Sequence, residues 1–524
     1  MDTITVRGKS MHSFRNDFGN LEKTSYCIET PLNSSVRVNG FRSSDTLILI
    51  DGIKLDDTPS ADGSFNLGLL NNKLLKHKEC INDTTLNIEN NDSPQKDEIT
   101  ISHSIASRNT VENSAKVSHI SDGMLFYTCW NILSSDGYRV MDCTSNNFDS
   151  RKKIASDTQI EINPNDSLNV ILSSRAGFLK NTYPDLFNNY EKGELSSKFL
   201  LNKAKLKKIC SLNTNFSLGY ANIIQSISDY SSSFSSNKSI SNLFMGSLEH
   251  QFNENYLNEF SFQLKKTRFN SFESNSYIFG VKNYLQLQDN VKFRIIFDFF
   301  ISKNVYFLDM YTTLKRSLEK SELSISYDRF NKRPSLFQLY DTKFGNRDIK
   351  PEKIESVRIS YSNHKKGVCF SQSISYKIVK NLIALDKASY CSKNSGNNKK
   401  IVAINTFLSL IMKPLNSTFE IKYTYVANPF IQYPKHKLLI SLFVYDIFKI
   451  ENKTIACVKD YDFINGKNVT LGGATIFTIK LFKKISTNSD LQIYVKNIFN
   501  KKYQLTYGYN QEPISFGIEI KYKL

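Results

Sequence analysis

The chain has 524 residues, 40% of them hydrophobic and 12% aromatic, and its 68 Lys and Arg against 50 Asp and Glu leave a net charge of +18. Eight scattered cysteines with no C-x-x-C pair and seven dispersed histidines argue against a disulfide framework and a zinc site, and lysines spread through turns and strand ends without a recognition motif argue against nucleic acid. No run approaches the ~20 apolar residues of a membrane-spanning helix, which leaves open a membrane barrel built from strands of ~9 to 11 alternating residues.

The opening MDTITVRGK lacks the basic, apolar, small-residue order of a secretory signal. Taken literally the chain would stay in the cytoplasm. The rest of the sequence argues for export, so a misplaced start or a removed leader is expected.

Residues 34–57, SSVRVNGFRSSDTLILIDGIKLDD, form a small β-rich unit. Val36 and Val38 share one strand face, Asn39-Gly40 invites the positive backbone angles of a hairpin turn, and Leu47 to Ile50 is a buried strand ended by Asp51-Gly52. Nothing in it resembles a nucleophile, a metal cage or a phosphate loop. Asp45, Asp51, Asp56, Asp57 and Asp62 cluster in sequence, but the alternate spacing and closing Glu of a calcium loop are missing, and they read as solvated turn residues.

From about Ile99 onward, apolar alternation over short segments is followed each time by a polar cluster. Phe260, Phe262 and Leu264 show it, as do Leu323, Ile325 and Tyr327, then Val357, Ile359 and Tyr361, then Phe419, Ile421, Tyr423 and Tyr425, with polar residues between them. One face is greasy and the other wet. The connections differ in length, short at Gln288 to Asn290 and long at Lys387 to Lys400, as in a membrane barrel with tight turns on one rim and loops on the other. The positive charge then suits anionic lipid head groups or an anionic ligand; the basic run Lys393 to Lys400 reads as a solvated loop, or alternatively as a lipopolysaccharide or ligand contact. In the last strand Phe516, Ile518, Ile520, Tyr522 and Leu524 face one way and Ser515, Gly517, Glu519, Lys521 and Lys523 the other. Some 22 strands at roughly 19 residues each would use the chain after residue 97.

Four stretches carry a family resemblance. SSVRVNGFRSSDTLILIDGIKLDD resembles the plug of TonB-dependent outer-membrane receptors, in which an alternating strand and Gly turn precede a TLVLIDG strand; its matching positions are Val36, Val38, Asn39, Gly40, Leu47, Ile50, Asp51 and Gly52. RPSLFQLYDTKFGNRDIKPEK, Arg333 to Lys353, is similar to the family's barrel signature through Pro334, Leu339, Tyr340, Gly345, Asn346, Pro351 and Glu352. VKNIFNKKYQLTYGYN resembles the penultimate V-x-N-L-F-x-x-x-Y segment through Asn497, Phe499 and Tyr503. Asp2, Thr3, Ile4, Thr5 and Val6 resemble the TonB box, most like that of cobalamin receptors.

The resemblance implies an all-β fold, a transmembrane antiparallel β-barrel of about 22 strands (residues 98–524) holding a reduced N-terminal plug-like unit (residues 1–97). It implies an outer-membrane, monomeric transporter of a scarce metal chelate, corrinoid or ferric siderophore, with lipid around it, a TonB-like periplasmic protein pulling on Asp2 to Val6, and no catalytic residues, resident metal or cofactor. A peptide such as Asp2 to Val6 can add itself as a strand to a partner's sheet, and backbone pairing transmits the pull; an incidental edge strand is the alternative.

Pro351 is expected to hold Lys350 extended and set the next strand's register. Tyr340, Tyr503 and Tyr509 suit either the aromatic girdles at the bilayer interfaces or packing inside the barrel. There are departures too. The Gly-rich middle of the usual plug is missing, Lys73 to Ile81 only echoes its R-x-E-V segment, Thr84 to Asn90 keeps only its tail, Asn39 stands where the family prefers Arg, and Leu524 replaces a terminal Phe. They motivate a second reading, a repurposed barrel acting as a passive pore or surface protein.

Overall fold

A computed structural model gives the structure of residues 25–29, 34–38, 42–51, 53–55, 65–71, 76–80, 85–89 and 96–138, and of residues 150–524 apart from 166–167, 185–191, 210–212, 230–236, 254, 289, 303–304, 343, 366, 387–390, 446 and 463–466. From Glu98–Ala106 to Ser515–Lys523, successive barrel strands pair antiparallel, and the last pairs with the first, Ile518 opposite Ile105, to close a 22-strand barrel; the short hairpins Ile383–Leu385 with Ser392–Asn394 and Gln504–Thr506 with Tyr509–Asn510 stand apart from it in the far-rim connections. One strand is split into Lys467–Leu471 and Ala474–Lys484, both paired with Phe448–Asp462. The break falls at Gly472-Gly473, across from Cys457 at φ +58°, and the ladder resumes beyond it in the same register.

An even strand number brings the barrel's first and last residues to one rim, called the near rim below. Turns there are short, as at 122–123 and 366–367. The far rim carries the long connections 333–351, 381–398 and 497–514.

Burial is inside out. In Glu98–Ala106, Thr100, Ser102 and Ser104 are buried while Ile99, Ile101 and Ile105 are exposed; in the last strand Ser515 and Gly517 are buried while Phe516, Ile518, Ile520 and Tyr522 are exposed. The same alternation leaves Phe260, Phe262, Leu264, Ile325, Val357, Ile359 and Tyr423 exposed on one face. A continuous greasy belt of this kind has no place in water. In hydrocarbon it is the solvated face, and closure leaves no unpaired strand edge. The chain is a transmembrane β-barrel.

Residues 25–89 form two small sheets. Ser25–Glu29 pairs antiparallel with Ser34–Val38. A four-stranded mixed sheet runs in the order Ile53–Leu55, Leu47–Ile50, Thr85–Glu89, Lys76–Cys80, with Leu47–Ile50 parallel to Thr85–Glu89. The hairpin turn anticipated at Asn39-Gly40 falls outside the described residues. Ser34–Val38 pairs backwards with Ser25–Glu29, and the chain is then diverted by a 3-10 turn, Ser43–Asp45, which an Arg42–Asp45 ion pair locks. Asn39, Gly40 and Gly52 lie outside the described residues, as do the side chains of Val36, Val38 and Leu47.

This N-terminal unit sits inside the barrel. Ile48, Ile50, Ile53, Leu55, Phe65, Leu67, Leu69 and Leu70 form one buried cluster with Leu179, Phe199, Leu201, Ala221, Ile223, Leu243 and Met245 of the inner wall, and Phe65 meets Phe199 edge to face at 5.5 Å. The lumen is therefore apolar here, a difference from the wet inner face expected from the alternation. The reason is visible at Phe199-Leu200-Leu201: Phe199 and Leu201 serve the seat, Leu200 serves lipid. At Gly177 the backbone of the unit touches the wall, because a Cβ there would stand 2.0 Å from the Leu69 carbonyl oxygen. Gly177→Val should unseat the unit at a cost of about 1–3 kcal/mol while the barrel still closes. Limited proteolysis should then cut within residues 25–89, with heat-modifiable migration of the barrel unchanged.

Candidate functional site

Two sets of charges tie the N-terminal unit to the wall, and the larger lies towards the far rim. Arg42 donates from Nε and Nη2 to Asp45 (2.9 and 2.7 Å), from Nη2 to Glu352 Oε2 (2.5 Å) and from Nη1 to the Ile383 carbonyl (3.2 Å). Its guanidinium lies 4.7 Å from the centre of the Phe430 ring. Lys332, the last residue of Ser321–Lys332, adds contacts to Asp45 (3.0 Å), Ser44 Oγ (2.5 Å) and Glu352 (3.6 Å). Glu352 Oε1 accepts from the Ile383 N–H at 2.5 Å. Both carboxylates are wholly buried, at 0% side-chain exposure, so two cations meet two anions away from water.

The local sequence explains the placement. Pro351 ends the connection, the strand Glu352–Lys365 begins at the next residue, and Glu352 alternates inward with Ile354 and Ser356. Asn331 opposite Lys353 and Lys332 opposite Glu352 fix the register that sets the two charges side by side.

Burial by itself would push the Asp45 carboxyl up, but the charges of Arg42 and Lys332 and their hydrogen bonds outweigh it and hold it well below the usual carboxylate range. Burial likewise works against the Arg42 charge, and Asp45 and Glu352 overcome it and raise its pKa further.

The second set surrounds Asp51. Its φ of +52° makes the turn between Leu47–Ile50 and Ile53–Leu55, and its carboxylate accepts from Arg175 Nη2 at 2.7 Å while its carbonyl accepts from Lys203 Nζ at 2.5 Å. Arg175 also reaches Asp157 at 3.4 Å, and Lys153 donates to the Leu70 carbonyl at 2.5 Å. Asp45 and Asp51, read from sequence as solvated turn residues, are instead ion-pair anchors. Asp45 pairs with Arg42 three residues before it, but Lys332 and Arg175, which tie Asp45 and Asp51 to the wall, lie on barrel strands far off in the chain, which short-range spacing does not reveal. Asp56, Asp57 and Asp62 lie outside the described residues.

At the far rim, residues 333–351 fold over the mouth. A short helix, Leu336–Tyr340, is capped by Ser335, whose Oγ accepts from the Gln338 N–H, while Gln338 Oε1 accepts from the Ser335 N–H. Pro334 precedes the cap, and Leu339 donates to the Ser335 carbonyl at 3.1 Å. Tyr340 stacks on Phe272 at 4.4 Å, Phe337 lies 6.0 Å from both Phe269 and Phe344, and Arg347 stands 5.5 Å from the Phe272 and Tyr340 rings. Gly345 packs against the helix end, where a Cβ would stand 2.4 Å from the Asp341 carbonyl oxygen. Asn346 donates to the Ser392 carbonyl at 2.9 Å and so joins this segment to the neighbouring connection. The result is an aromatic shelf beside which the exposed Arg347 guanidinium stands.

Asn497 is buried at φ +50° and clamps the connection 497–514: it donates to the carbonyls of Lys501 and Glu512 and accepts from the Lys501 N–H. Phe499 is exposed and meets Phe477 edge to face at 5.1 Å. Tyr503 packs on an inner cluster with Phe430, Tyr433 and Leu505. Tyr340 and Tyr503 thus serve the interior rather than a lipid girdle, and Tyr509 lies in a two-residue strand, Tyr509–Asn510, half-buried. Arg42, Arg37 and Lys332 escaped sequence reasoning. Arg37 donates to the Ile431 carbonyl at 2.6 Å and to Gln432 at 2.7 Å on the far-rim turn; the signal that could have found Arg42 is an acid-base match between the opening stretch and Glu352 in the signature of residues 333–353. Asp2 to Val6 lie outside the described residues.

No group of three or more His, Cys, Asp or Glu able to hold a metal occurs among the described residues.

Removal of one member tests the network. Arg42→Met leaves two buried carboxylates sharing Lys332 and should cost about 3–5 kcal/mol, read as release of the N-terminal unit at lower denaturant; adding Glu352→Gln should recover part of the loss. The pH dependence has a definite sign. Because the folded-state pKa of Asp45 is depressed, its contribution is fully present above the ordinary aspartate pKa of about 3.9 and is lost as pH falls below that value toward the folded one. Protease protection of residues 25–89 should hold from pH 7 to about 4 and fall below it, and Asp45→Asn should be weaker at pH 7 and flatter in acid.

No family model matches the sequence. Solved structures do match over nearly the whole chain. The siderophore receptor PirA from Acinetobacter baumannii is 12% identical with a TM-score of 0.79, over 97% of this chain and 96% of that one. The FrpB iron transporter from Neisseria meningitidis (F3-3 variant) is 11% identical with a TM-score of 0.79, over 98% and 97%. A variant of the ferric enterobactin receptor PfeA from Pseudomonas aeruginosa, in complex with enterobactin, is 12% identical with a TM-score of 0.77, over 96% of each chain.

Proposed function

We propose that this chain, which has the fold of TonB-dependent outer-membrane receptors, is itself such a receptor and imports a ferric siderophore or a chemically similar metal chelate. The barrel spans the outer membrane with its far rim outward. Residues 1–97 are the plug and residues 98–524 the barrel. A chelate is captured at the far rim, where the shelf of Phe272, Phe337 and Tyr340 offers ring faces and Arg347 a positive charge. A TonB-like periplasmic protein then pairs with Asp2 to Val6 and pulls. The chain makes and breaks no bond in its cargo, so no catalytic residue is assigned.

What supports this reading is an N-terminal unit seated inside a 22-strand barrel by apolar contact and ion pairs, with no strand pairing to the wall among the described residues. Such a tie suits reversible displacement. Its charges are matched when seated, and water entering behind a displaced plug would solvate them again. A fused sheet would have to lose a whole ladder of hydrogen bonds to move.

Deletion of residues 2–6 should abolish uptake of a ferric siderophore while leaving its binding at the far rim unchanged; uptake at the parental rate would refute the coupling role. Single-channel recording separates the passive-pore alternative, because a plugged barrel is silent and an open one of this size conducts strongly.

A further inference from the structure

The outer face of six adjacent strands carries charge in an arrangement that the uptake reading does not use. The strands are Arg151–Asn165, Leu168–Pro184, Lys192–Ile209, Asn213–Asp229, Asn237–Asn253 and Tyr256–Phe269. Their exposed apolar residues, Ile154, Leu172, Leu200, Phe216, Phe244 and Phe260 among them, mark the lipid belt. On the far-rim side of that belt, on the same outward face, stand Lys152, Lys180, Lys198, Lys238, Lys266 and Arg268. Five of the six strands contribute at least one of them. Among the described residues, the acids sharing this face are Glu194, which meets Lys180 at 2.8 Å, and Glu273 on the next strand, which meets Lys266 at 3.2 Å. Six cations less two anions leave +4.

The register adds a second indication. Lys152 stands directly opposite Lys180, and of these two like charges, which destabilise each other across a ladder, Glu194 answers that of Lys180. A phosphate beside Lys152 would add a second anion to the pair. Lys198 extends beside the Phe178 ring, 5.9 Å from its centre, so its ammonium is held at the belt's edge.

The third indication is the surface below. Towards the near rim from Lys198, an outward groove of about 400 Å³ opens where Ser174 and Ala204 leave space between Leu172, Leu218, Tyr220 and Phe244. Ser174 is opposite Asn202 and Leu172 opposite Ala204. The groove thus begins four residues, or about 13 Å along the strand, from Lys198. That is within reach of a fatty acyl chain whose head group is held by the lysines.

We propose that this face is a docking site for a phosphate-bearing acylated lipid of the leaflet at the far rim, with its phosphates among Lys152, Lys180 and Lys198 and one acyl chain in the groove lined by Ser174 and Ala204. The site depends on the membrane placement of the barrel and not on its cargo. Basic clusters at the head-group level recognise anionic lipids by charge; the groove adds a fixed position for one lipid.

The full chain in phosphatidylcholine nanodiscs doped with lipid A tests this by native mass spectrometry. A retained lipid A is expected, displaced neither by inorganic phosphate nor by a soluble phosphoglycerol. The triple variant Lys152→Gln, Lys180→Gln, Lys198→Gln should weaken retention about tenfold or more. A matched triple at the same rim but on the other side of the barrel, Lys353→Gln, Lys400→Gln, Lys459→Gln, should change it less than about twofold. Ala204→Phe, which fills the groove and leaves every charge in place, should also weaken it. All these side chains face outward, and heat-modifiable migration verifies that each barrel closes. Equal loss in the two triples, undiminished binding by the first triple or by Ala204→Phe, or displacement by inorganic phosphate would each overturn the proposal.

Discussion

In hydrocarbon no water is available to satisfy a peptide group, so a strand that enters a membrane must find a partner on both sides. The pairing of Gly517 through Lys523 with Thr100 through Ala106 is where that requirement is met for the whole molecule. Once those two strands join, no sheet edge remains, and the other features follow. Outward positions face lipid and become apolar, inward positions face a lumen, and an even strand number returns both barrel ends to one rim.

A closed barrel of this circumference encloses more space than its own side chains fill, and the N-terminal unit occupies part of it. Its seat is divided by chemistry. On the strands Leu168–Pro184 to Asn237–Asn253 the contact is mainly greasy and close, down to the touch of Leu69 on Gly177, with Arg175 and Lys203 holding Asp51 beside it. On the side of Ser321–Lys332 and Glu352–Lys365 it is ionic, with Arg42, Asp45, Lys332 and Glu352 matched two against two. Buried ion pairs stabilise little in net terms, because desolvation offsets most of the attraction, yet loss of a single partner is costly. They therefore specify one seated position more than they deepen it. The apolar contact supplies the affinity and the charges supply the register.

Several parts of this were legible in the sequence for identifiable reasons. The last strand alternates without exception from Ser515 to Leu524, because one face meets lipid along its whole length. The run Leu47 to Ile50 reads as buried and is so at Ile48 and Ile50. Glu352 was marked by the resemblance of its segment, though with no role, since its partners lie 310 and 20 residues away at Arg42 and Lys332. Asp45 and Asp51 looked like turn residues because turns are what a local window can show. Tyr340 and Tyr503 suited two sites equally, and only the fold turned them inward.

The amino-acid order by itself determined the period, the number of strands to within a few and the oily outer surface, since each depends on residues one or two apart meeting the same solvent. Tertiary structure alone decided which inward residues meet the N-terminal unit, which charges pair and where outward lysines gather beside a groove. Those features require strands hundreds of positions apart to lie within a few ångströms, and barrel closure, together with the seating of the N-terminal unit, is what brings them there.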